Sequence, residues 1–286
     1  MVTGANGQLG MEFRDLESSF LNYQFIFVSR NELSIEDPEQ VDRFFNSHVV
    51  DYCINCAAYT TVDKAESDIE AAFSGNATAP GYLAKAAAKQ GAAFFHFSTD
   101  YVFNGNGTQP YSETLPTDPV NVYGESKRDG EERVRDNHPK AVIIRTSWVY
   151  SRFGKNFVKT MLRLMHEKPE ISVVNDQLGS PTYARDLVAA VMHIVQTHTP
   201  AQIIPGTYHF ANQGIISWYD FALAIKEIAG LGCRVNPVPS SSYPTPAKRP
   251  SYSGLNTNKI REIYQVEIPE WKNSLRECIQ LLLKER

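Results

Sequence analysis

Val2-Thr3-Gly4-Ala5-Asn6-Gly7-Gln8-Leu9-Gly10 passes from a short apolar start through three glycines in the register G-x-x-G-x-x-G, and a helical pattern follows through Phe13 and Leu16. Glycines so spaced let a strand turn tightly into a helix. They also let the backbone approach a pyrophosphate, which the positive helix N-terminus favours. A plain strand-to-helix turn has no need of three glycines in register. The stretch predicts the first βα unit of a dinucleotide-binding sheet, with Gly4, Asn6, Gly7, Gln8 and Leu9 facing the cofactor. Only Met1 to Thr3 precede Gly4, whereas strands usually have about five or six residues. The first strand is therefore either cut short or begins upstream.

Tyr23 to Val28 reads as the second strand and ends at Ser29-Arg30. In an NAD site an Asp or Glu about 20 residues beyond the turn grips the ribose 2′-hydroxyl. Ser29 removes that charge and Arg30 can pair with a 2′-phosphate, which favours NADP over NAD; a surface arginine at a strand end is the alternative. Ser34-Ile35-Glu36-Asp37-Pro38 starts a helix with acids where the dipole prefers them. A third strand, Val49 to Ala57, ends in Cys56-Ala57-Ala58-Tyr59, and small side chains at that end of a parallel strand admit a ligand. Ala71 to Lys89 is an alanine-rich helix containing Asn76. Ala92 to Phe97 is a fourth strand that delivers Ser98-Thr99-Asp100-Tyr101, and Ala141 to Arg145 is a further core strand emerging at Thr146-Ser147-Trp148-Val149-Tyr150. This alternation over residues 1–150 predicts an α/β, doubly wound parallel sheet. Cys53 and Cys56 have C-x-x-C spacing, but on a strand i and i+3 point to opposite faces, so buried thiols are expected and not a metal or disulfide pair.

Tyr123-Gly124-Glu125-Ser126-Lys127 follows a loop from Phe103 to Val122 rich in Gly, Pro, Thr and Asn. At i and i+4 on a helix the phenol and the ammonium share one face. A nearby cation favours phenolate, which would bring a tyrosine of ordinary pKa about 10 nearer to neutrality as an acid or base. Alone, the spacing fits a solvated helix face. Hydroxyls at the Ser98-Thr99 strand end, just before this helix, are placed to hold a carbonyl oxygen.

The chain has 286 residues, 42% hydrophobic and 21% charged, enough for two unequal domains. A net charge of -4 gives no basic footprint for nucleic acid. No segment reaches the ~18 apolar residues of a membrane span, and the N-terminus meets a glycine turn instead of a charged, then apolar leader, so a cytoplasmic protein is expected. From Asn156 an amphipathic helix runs through Leu164. A strand at Ile171 to Val174 leads to the polar turn Asn175-Asp176-Gln177-Leu178-Gly179-Ser180-Pro181-Thr182. Helix Asp186 to Gln196 and strand Tyr208 to Ala211 return to the first domain, and Ser217 caps a helix through Ala229. Pro237 to Ser253, with Lys248-Arg249-Pro250, reads as a loop, and Trp271 to Lys284 as the final helix. The expected division is a nucleotide-binding domain over 1–150, completed by about 183–212, and a smaller α/β substrate domain over 151–182 and 213–286.

Gly4-x-x-Gly7-x-x-Gly10, the Ser98-Thr99 strand end and Tyr123-x-x-x-Lys127 together resemble the extended short-chain dehydrogenase/reductase family. Four further stretches narrow the resemblance to its dTDP-4-dehydrorhamnose reductases, over nearly the whole chain. They are Asn55-Cys56-Ala57-Ala58-Tyr59-Thr60-x-Val62-Asp63-Lys64-Ala65-Glu66, Ser98-Thr99-Asp100-Tyr101-Val102-Phe103, Arg145-Thr146-Ser147-Trp148-Val149-Tyr150 and Gln177-x-Gly179-x-Pro181-Thr182. The resemblance implies a Rossmann fold and NADPH-dependent reduction of dTDP-4-dehydro-L-rhamnose to dTDP-L-rhamnose in polysaccharide precursor biosynthesis, with NADH as the alternative cofactor. It makes Tyr123 the proton donor, Lys127 the residue that lowers its pKa and holds the nicotinamide ribose, and Thr99 the residue that holds the carbonyl oxygen. Implied cofactor contacts are Gly4, Asn6, Gly7, Gln8, Leu9, Arg30, Ser34, Ile35, Ala57, Ala58, Tyr59, Asn76, Tyr123, Lys127 and Trp148. Implied nucleotide-sugar contacts are Asp100, Tyr101, Trp148, Asn156, Gln177 and Arg249, the last facing either a pyrophosphate or solvent.

Some members of the resembled family are associated with Mg2+ at a carboxylate-lined dimer contact. Only Glu12 can be placed there, with Arg185-Asp186 where another acid would be sought, so no catalytic metal is expected. Neither nucleic acid nor membrane is an expected partner, and the chain is a monomer or a homodimer. Two other readings stand. A nucleotide-sugar epimerase or dehydratase would use the same tyrosine and lysine, but a dehydratase wants Glu where Tyr101 follows Asp100. A regulatory subunit resembling that of methionine adenosyltransferase would not need Thr99, Tyr123 and Lys127 intact.

Overall fold

The structure, a computed structural model, describes residues 1–284. Its centre is a six-stranded parallel sheet in the order Gly206–His209, Val142–Thr146, Ala93–Thr99, Tyr52–Asn55, Val2–Thr3 and Phe27–Val28. From Val2–Thr3 the chain goes first to one side, to Phe27–Val28, and then crosses to the other, to Tyr52–Asn55. That reversal opens a crevice at the carboxyl ends of the strands, where ligands of such sheets bind. The turn beginning at Gly4 leaves the first strand at this point.

The first strand is short but well held. The Val2 amide donates to the Ile26 carbonyl at 2.8 Å and the Ile54 amide to the Met1 carbonyl at 2.9 Å. Its brevity also limits its edge neighbour. Where Tyr23 to Val28 was expected to be extended, only Phe27 and Val28 pair, because a two-residue partner offers no further ladder groups. Tyr23 instead sends its hydroxyl to the Val195 carbonyl at 3.1 Å. The third strand is likewise shorter than Val49 to Ala57, spanning Tyr52–Asn55. Ala93–Thr99 is buried along its whole length, as expected of a central parallel strand covered on both faces.

Strand alternation sorts neighbouring apolar residues into two cores. Val2, Ile54, Phe95 and Ile144 face Phe13, Leu187, Val191 and Ile194 on one side. Cys53, Phe94 and Ile143 face Val41, Phe45, Leu83 and Val134 on the other. Cys53 lies in the second core, Cys56 packs against the first, and both are free thiols. Burial pushes the Cys53 thiol up to about 12, so it is inert near neutral pH.

A third core joins helices Phe157–Glu167, Trp218–Ile228 and Trp271–Lys284 to a parallel two-stranded ribbon of Glu170–Val174 and Arg234–Val238. Ser217 and Asp220 form a capping box at the start of the middle helix. Helix Ala184–Thr197 and strand Gly206–His209 return to the large sheet. The Pro237 to Ser253 stretch is not wholly a loop: Pro237 and Val238 end the ribbon strand, at an edge position that tolerates proline. Among the described residues no helix is long and apolar enough to cross a membrane.

The expected helix from Ala71 to Lys89 is interrupted. Ile69–Phe73 and Ala79–Gln90 are α-helical, and Ser74–Thr78 between them widens into a π turn carrying Asn76. Helix Val122–Asn137 presses on this turn through Gly130, where a Cβ would lie 2.0 Å from the Asn76 carbonyl oxygen. Gly130→Ala must force the two helices apart, and overpacking of this kind costs about 1–3 kcal/mol. The thermal midpoint of the variant should fall accordingly; an unchanged melting curve would contradict the contact.

Candidate functional site

The glycine turn is shaped by what it excludes. Gly4 has φ +62°, and a Cβ on it would lie 2.6 Å from the Ala57 nitrogen; a Cβ on Gly10 would lie 2.4 Å from the Gly4 carbonyl oxygen. Gly7 precedes helix Gln8–Leu16 without any side-chain cap, and Asn6 and Gly7 are exposed. The first amides of that helix and its positive end are thus available to an anion, which fits a dinucleotide pyrophosphate. Ala57 is half-buried and Ala58 exposed beside the turn, Leu9 packs against the first core, and the Ala57 amide donates to Asn55 Oδ1 at 3.2 Å. Asn76 is turned inward: Oδ1 accepts from the Tyr59 amide at 2.8 Å, and Nδ2 donates to the Tyr59 carbonyl and to Ser126 Oγ, each at 3.0 Å. It ties the Tyr59 loop to the Tyr123 helix, an action through others and not a surface for a ligand.

At the expected 2′-phosphate corner, Arg30 is 81% exposed and pairs with Glu36 at 3.1 Å. The Ser29 amide donates to Glu32 at 2.7 Å, and the Ser34 amide to Gln40 Oε1 at 3.3 Å; Ile35 is half-buried. The corner therefore holds two carboxylates as well as the arginine.

Thr99 ends the central strand, and Asp100–Val102 forms a tight turn after it. Asn121 caps the next helix by accepting from the Gly124 amide at 2.8 Å, and its Nδ2 donates to the Lys248 carbonyl at 2.8 Å. A Cβ on Gly124 would lie 2.2 Å from the Tyr101 carbonyl oxygen. That close approach seats Tyr123 against the turn, with its ring edge-on to Tyr101 at 5.6 Å and a hydrogen bond to the Thr99 side chain. Thr99 and Tyr123 are thus joined at the end of the central strand, with Lys127 one turn along the same helix.

Their electrostatics differ from the sequence expectation. Burial, followed by the Asp100 carboxylate and Tyr101, raises the Tyr123 phenol well above its ordinary value, while Thr99 acts the other way. Lys127 does not offset this: its buried Nζ donates to the Phe97 carbonyl at 2.6 Å and lies 3.4 Å from His96 Nε2. Burial pushes Lys127 down to about 8 against the opposing charge of Glu131. The phenol is consequently protonated at neutral pH and can act as a proton donor. Asp100 accepts from the Thr99 hydroxyl at 3.0 Å, and burial lifts its carboxyl to about 7.

Glu131 is a site residue that the sequence reading passed over, although it lies one turn beyond Lys127. It accepts from Ser98 Oγ at 2.6 Å and holds Arg145 at 2.8 and 2.7 Å, fully buried. These charge-assisted bonds keep it ionised below the usual carboxylate range despite burial. His96 was also passed over, because one histidine inside an apolar strand looks like any core residue.

Among the residues expected to contact the nucleotide sugar, Arg249 donates to Tyr101 Oη at 3.0 Å and pairs with Asp63 at 2.7 Å. Its charge is already partnered, so it straps the 243–253 loop to the site and does not stand open to solvent. Trp148 has φ +48° and stacks on Trp218 at 3.6 Å, above Gly179. Gln177 donates to Ser240 Oγ at 2.9 Å. Asn156 caps helix Phe157–Glu167 while donating to Gln8 Oε1 at 3.0 Å and to the Ser151 carbonyl at 2.6 Å. It links the second core to the glycine-turn helix.

Glu12 is buried, accepts from Ser151 Oγ at 2.6 Å and lies 3.6 Å from Arg185, which also pairs with Asp15 at 2.5 Å and Glu277 at 3.5 Å. A guanidinium among these acids already supplies the positive charge, so the donor set does not fit a dication. Among the described residues no group of three or more His, Cys, Asp or Glu is arranged to hold one.

Comparison with known proteins gives a match to the family model "RmlD substrate binding domain" over residues 1–284. The chain is 43% identical over 281 residues to the spore coat polysaccharide biosynthesis protein SpsK of Bacillus subtilis, covering 98% of this chain and 96% of that protein. It is 39% identical over 297 residues to a dTDP-4-dehydrorhamnose reductase of Burkholderia thailandensis, covering 100% and 99%. The crystal structure of the dTDP-4-dehydrorhamnose reductase of Bacillus anthracis in complex with NADP superposes with a TM-score of 0.93 at 38% identity, covering 98% of each chain.

The Asp100 carboxyl has a signed consequence for stability. Its value rises from 3.8 to about 7 on folding, so between these values the folded chain holds a proton that the unfolded chain has lost. The contribution favours folding fully below the unfolded value and is lost as pH rises to about 7. The fall in Tm between about pH 4 and pH 8 should be smaller in Asp100→Asn than in the wild type. Equal falls would show that this carboxyl is not shielded.

Proposed function

Since the chain belongs to the RmlD substrate binding domain family, we propose that it reduces dTDP-4-dehydro-L-rhamnose to dTDP-L-rhamnose with NADPH. The observation that carries this reading is the hydrogen bond between Thr99 and Tyr123 at the end of the central strand, in a sheet whose first strand leads through an uncapped glycine turn into a helix. The named reductase relatives, matched over almost their whole length, support the choice of substrate. Residues 1–150 with about 183–212 hold the cofactor, and 151–182 with 213–286 hold the nucleotide sugar.

Bound NADPH supplies a hydride to the carbonyl carbon. The chain does the rest. The Tyr123 hydroxyl, kept protonated by burial, donates its proton to the carbonyl oxygen as negative charge builds there. The Thr99 side chain hydrogen-bonds Tyr123 and orients the same oxygen toward it. Lys127, one turn on and held by the Phe97 carbonyl, would in its charged form favour release of the tyrosine proton and would hold the nicotinamide ribose. Asp100, Tyr101 and Trp148 line the sugar side, and Arg249 holds the 243–253 loop over it through Asp63. Uncapped amides after Gly7 hold the pyrophosphate.

With the keto sugar and NADPH, Tyr123→Phe should fold and bind cofactor normally yet lose about 10²–10⁴-fold in turnover, the usual worth of a positioned acid. Near-normal NADPH oxidation would remove Tyr123 from the role. Arg30→Ala tests the cofactor choice separately: kcat/KM for NADPH relative to NADH should drop about two- to fivefold, the scale of an exposed ion contact. An unchanged ratio would leave Arg30 as a surface partner of Glu36.

A further inference from the structure

Lys127 ends a buried chain of polar groups that starts on the first strand. Thr3 Oγ1 donates to Asn55 Oδ1 at 2.6 Å, Asn55 Nδ2 lies 3.0 Å from His96 Nδ1, and His96 Nε2 lies 3.4 Å from Lys127 Nζ. All four side chains are buried. The orientation of every group in the chain follows from one backbone amide. The Ala57 N–H, which can only donate, reaches Asn55 at 3.2 Å and so fixes that atom as Oδ1. The other amide atom, Nδ2, is then a donor toward His96 Nδ1, which must carry a lone pair. Burial holds the imidazole neutral, so its single proton sits on Nε2 and points at Lys127 Nζ.

An ammonium is itself a donor and has nothing to give to an N–H. A neutral amine accepts from it. We propose that His96 is a positioning residue for the reaction: locked by Asn55 as the Nε2–H tautomer, it disfavours the charged form of Lys127. The Phe97 carbonyl at 2.6 Å accepts from either form and holds Nζ in place. Burial is the first cause that lowers Lys127, and the His96 contact acts in the same sense. Of the other groups facing Lys127, its own helix supplies Tyr123, protonated, and Glu131, which favours the ammonium. Glu131 is shared with Arg145 of the neighbouring strand and Arg135. Thr3 and Asn55, from the strands beyond, carry no charge. The low value of Lys127 agrees with this arrangement. In use, the lysine would lose its proton on the alkaline side of neutrality, and reduction would fail at a lower pH than an ordinary lysine allows.

The kinetic consequence rests on the reductase reading; the tautomer does not. In long-range 1H–15N spectra of histidine-labelled protein, with His96 assigned by its loss in His96→Gln, the ring should show neutral Nε2–H signals unchanged between about pH 5 and 9. An Nδ1–H tautomer, or titration in that range, overturns the proposal whatever the enzyme reduces. Asn55→Asp keeps the volume and the acceptor for Ala57 but places a carboxylate oxygen against Nδ1, which draws the proton there and turns a lone pair toward Lys127. Its spectrum should switch to Nδ1–H, and the alkaline limb of kcat/KM for NADPH oxidation should move up by about one pH unit or more. A switched tautomer with an unmoved limb, or a rate lowered evenly at all pH values, would reduce His96 to a packing residue.

Discussion

Gly4 stands where two strands of the sheet come too close for a side chain. A single methyl group there would meet the Ala57 amide and the Cys56 carbonyl carbon inside van der Waals contact, and the residue must also take a positive φ. This crowding determines much else. The first strand can be two residues long because its neighbours grip it so tightly, and the same closeness brings Asn55 and Ala57 alongside the turn. A dinucleotide crevice, the Asn55 amide and the buried path to Lys127 all descend from this one approach of backbone to backbone.

Burial, more than pairing, sets the chemistry of the site. Tyr123, Lys127 and Asp100 are each shifted toward their uncharged forms, with desolvation the first cause in every case. Glu131 is the exception, held ionised by Arg145 and Ser98. The result is a corner with one fixed ion pair, Glu131 with Arg145, beside three groups that burial shifts toward their uncharged forms. A phenol buried in this way keeps its proton at neutral pH, as the proposed proton donor must until charge develops next to it.

The parts of this arrangement legible in the sequence were those written locally. The glycine register, the small residues after Cys56, the hydroxyl of Thr99 and the i, i+4 pair of Tyr123 and Lys127 each lie within one turn or one strand end. The α/β alternation also gave the parallel sheet, and the alternation of Cys53 and Cys56 put them in different cores. Contacts between distant segments could not be read. Nothing in the sequence ties Asp63 to Arg249, Gln8 to Asn156 or His96 to Lys127. The direction of the Tyr123 shift depended first on its burial, and Lys127 is turned to the Phe97 carbonyl. Strand lengths were overestimated at Tyr23 to Val28 because an edge strand can be no longer than the ladder offered by its neighbour. Pro237 was read as a breaker although a ribbon edge accommodates it.

That proline also bears on how the protein behaves in company. In the ribbon, the Arg234 amide bonds across to the Pro169 carbonyl and the Val238 carbonyl accepts from Asn175, so positions 234, 236 and 238 point inward. The backbone groups of 235 and 237 face away from the partner strand, and Pro237 has no N–H to present there. A two-stranded ribbon with free edges invites a third strand from another molecule. Here the outward edge lacks a donor at Pro237, one residue before the strand ends, so the residue that looked least suited to a strand is the one that makes this edge a poor template for edge-to-edge pairing.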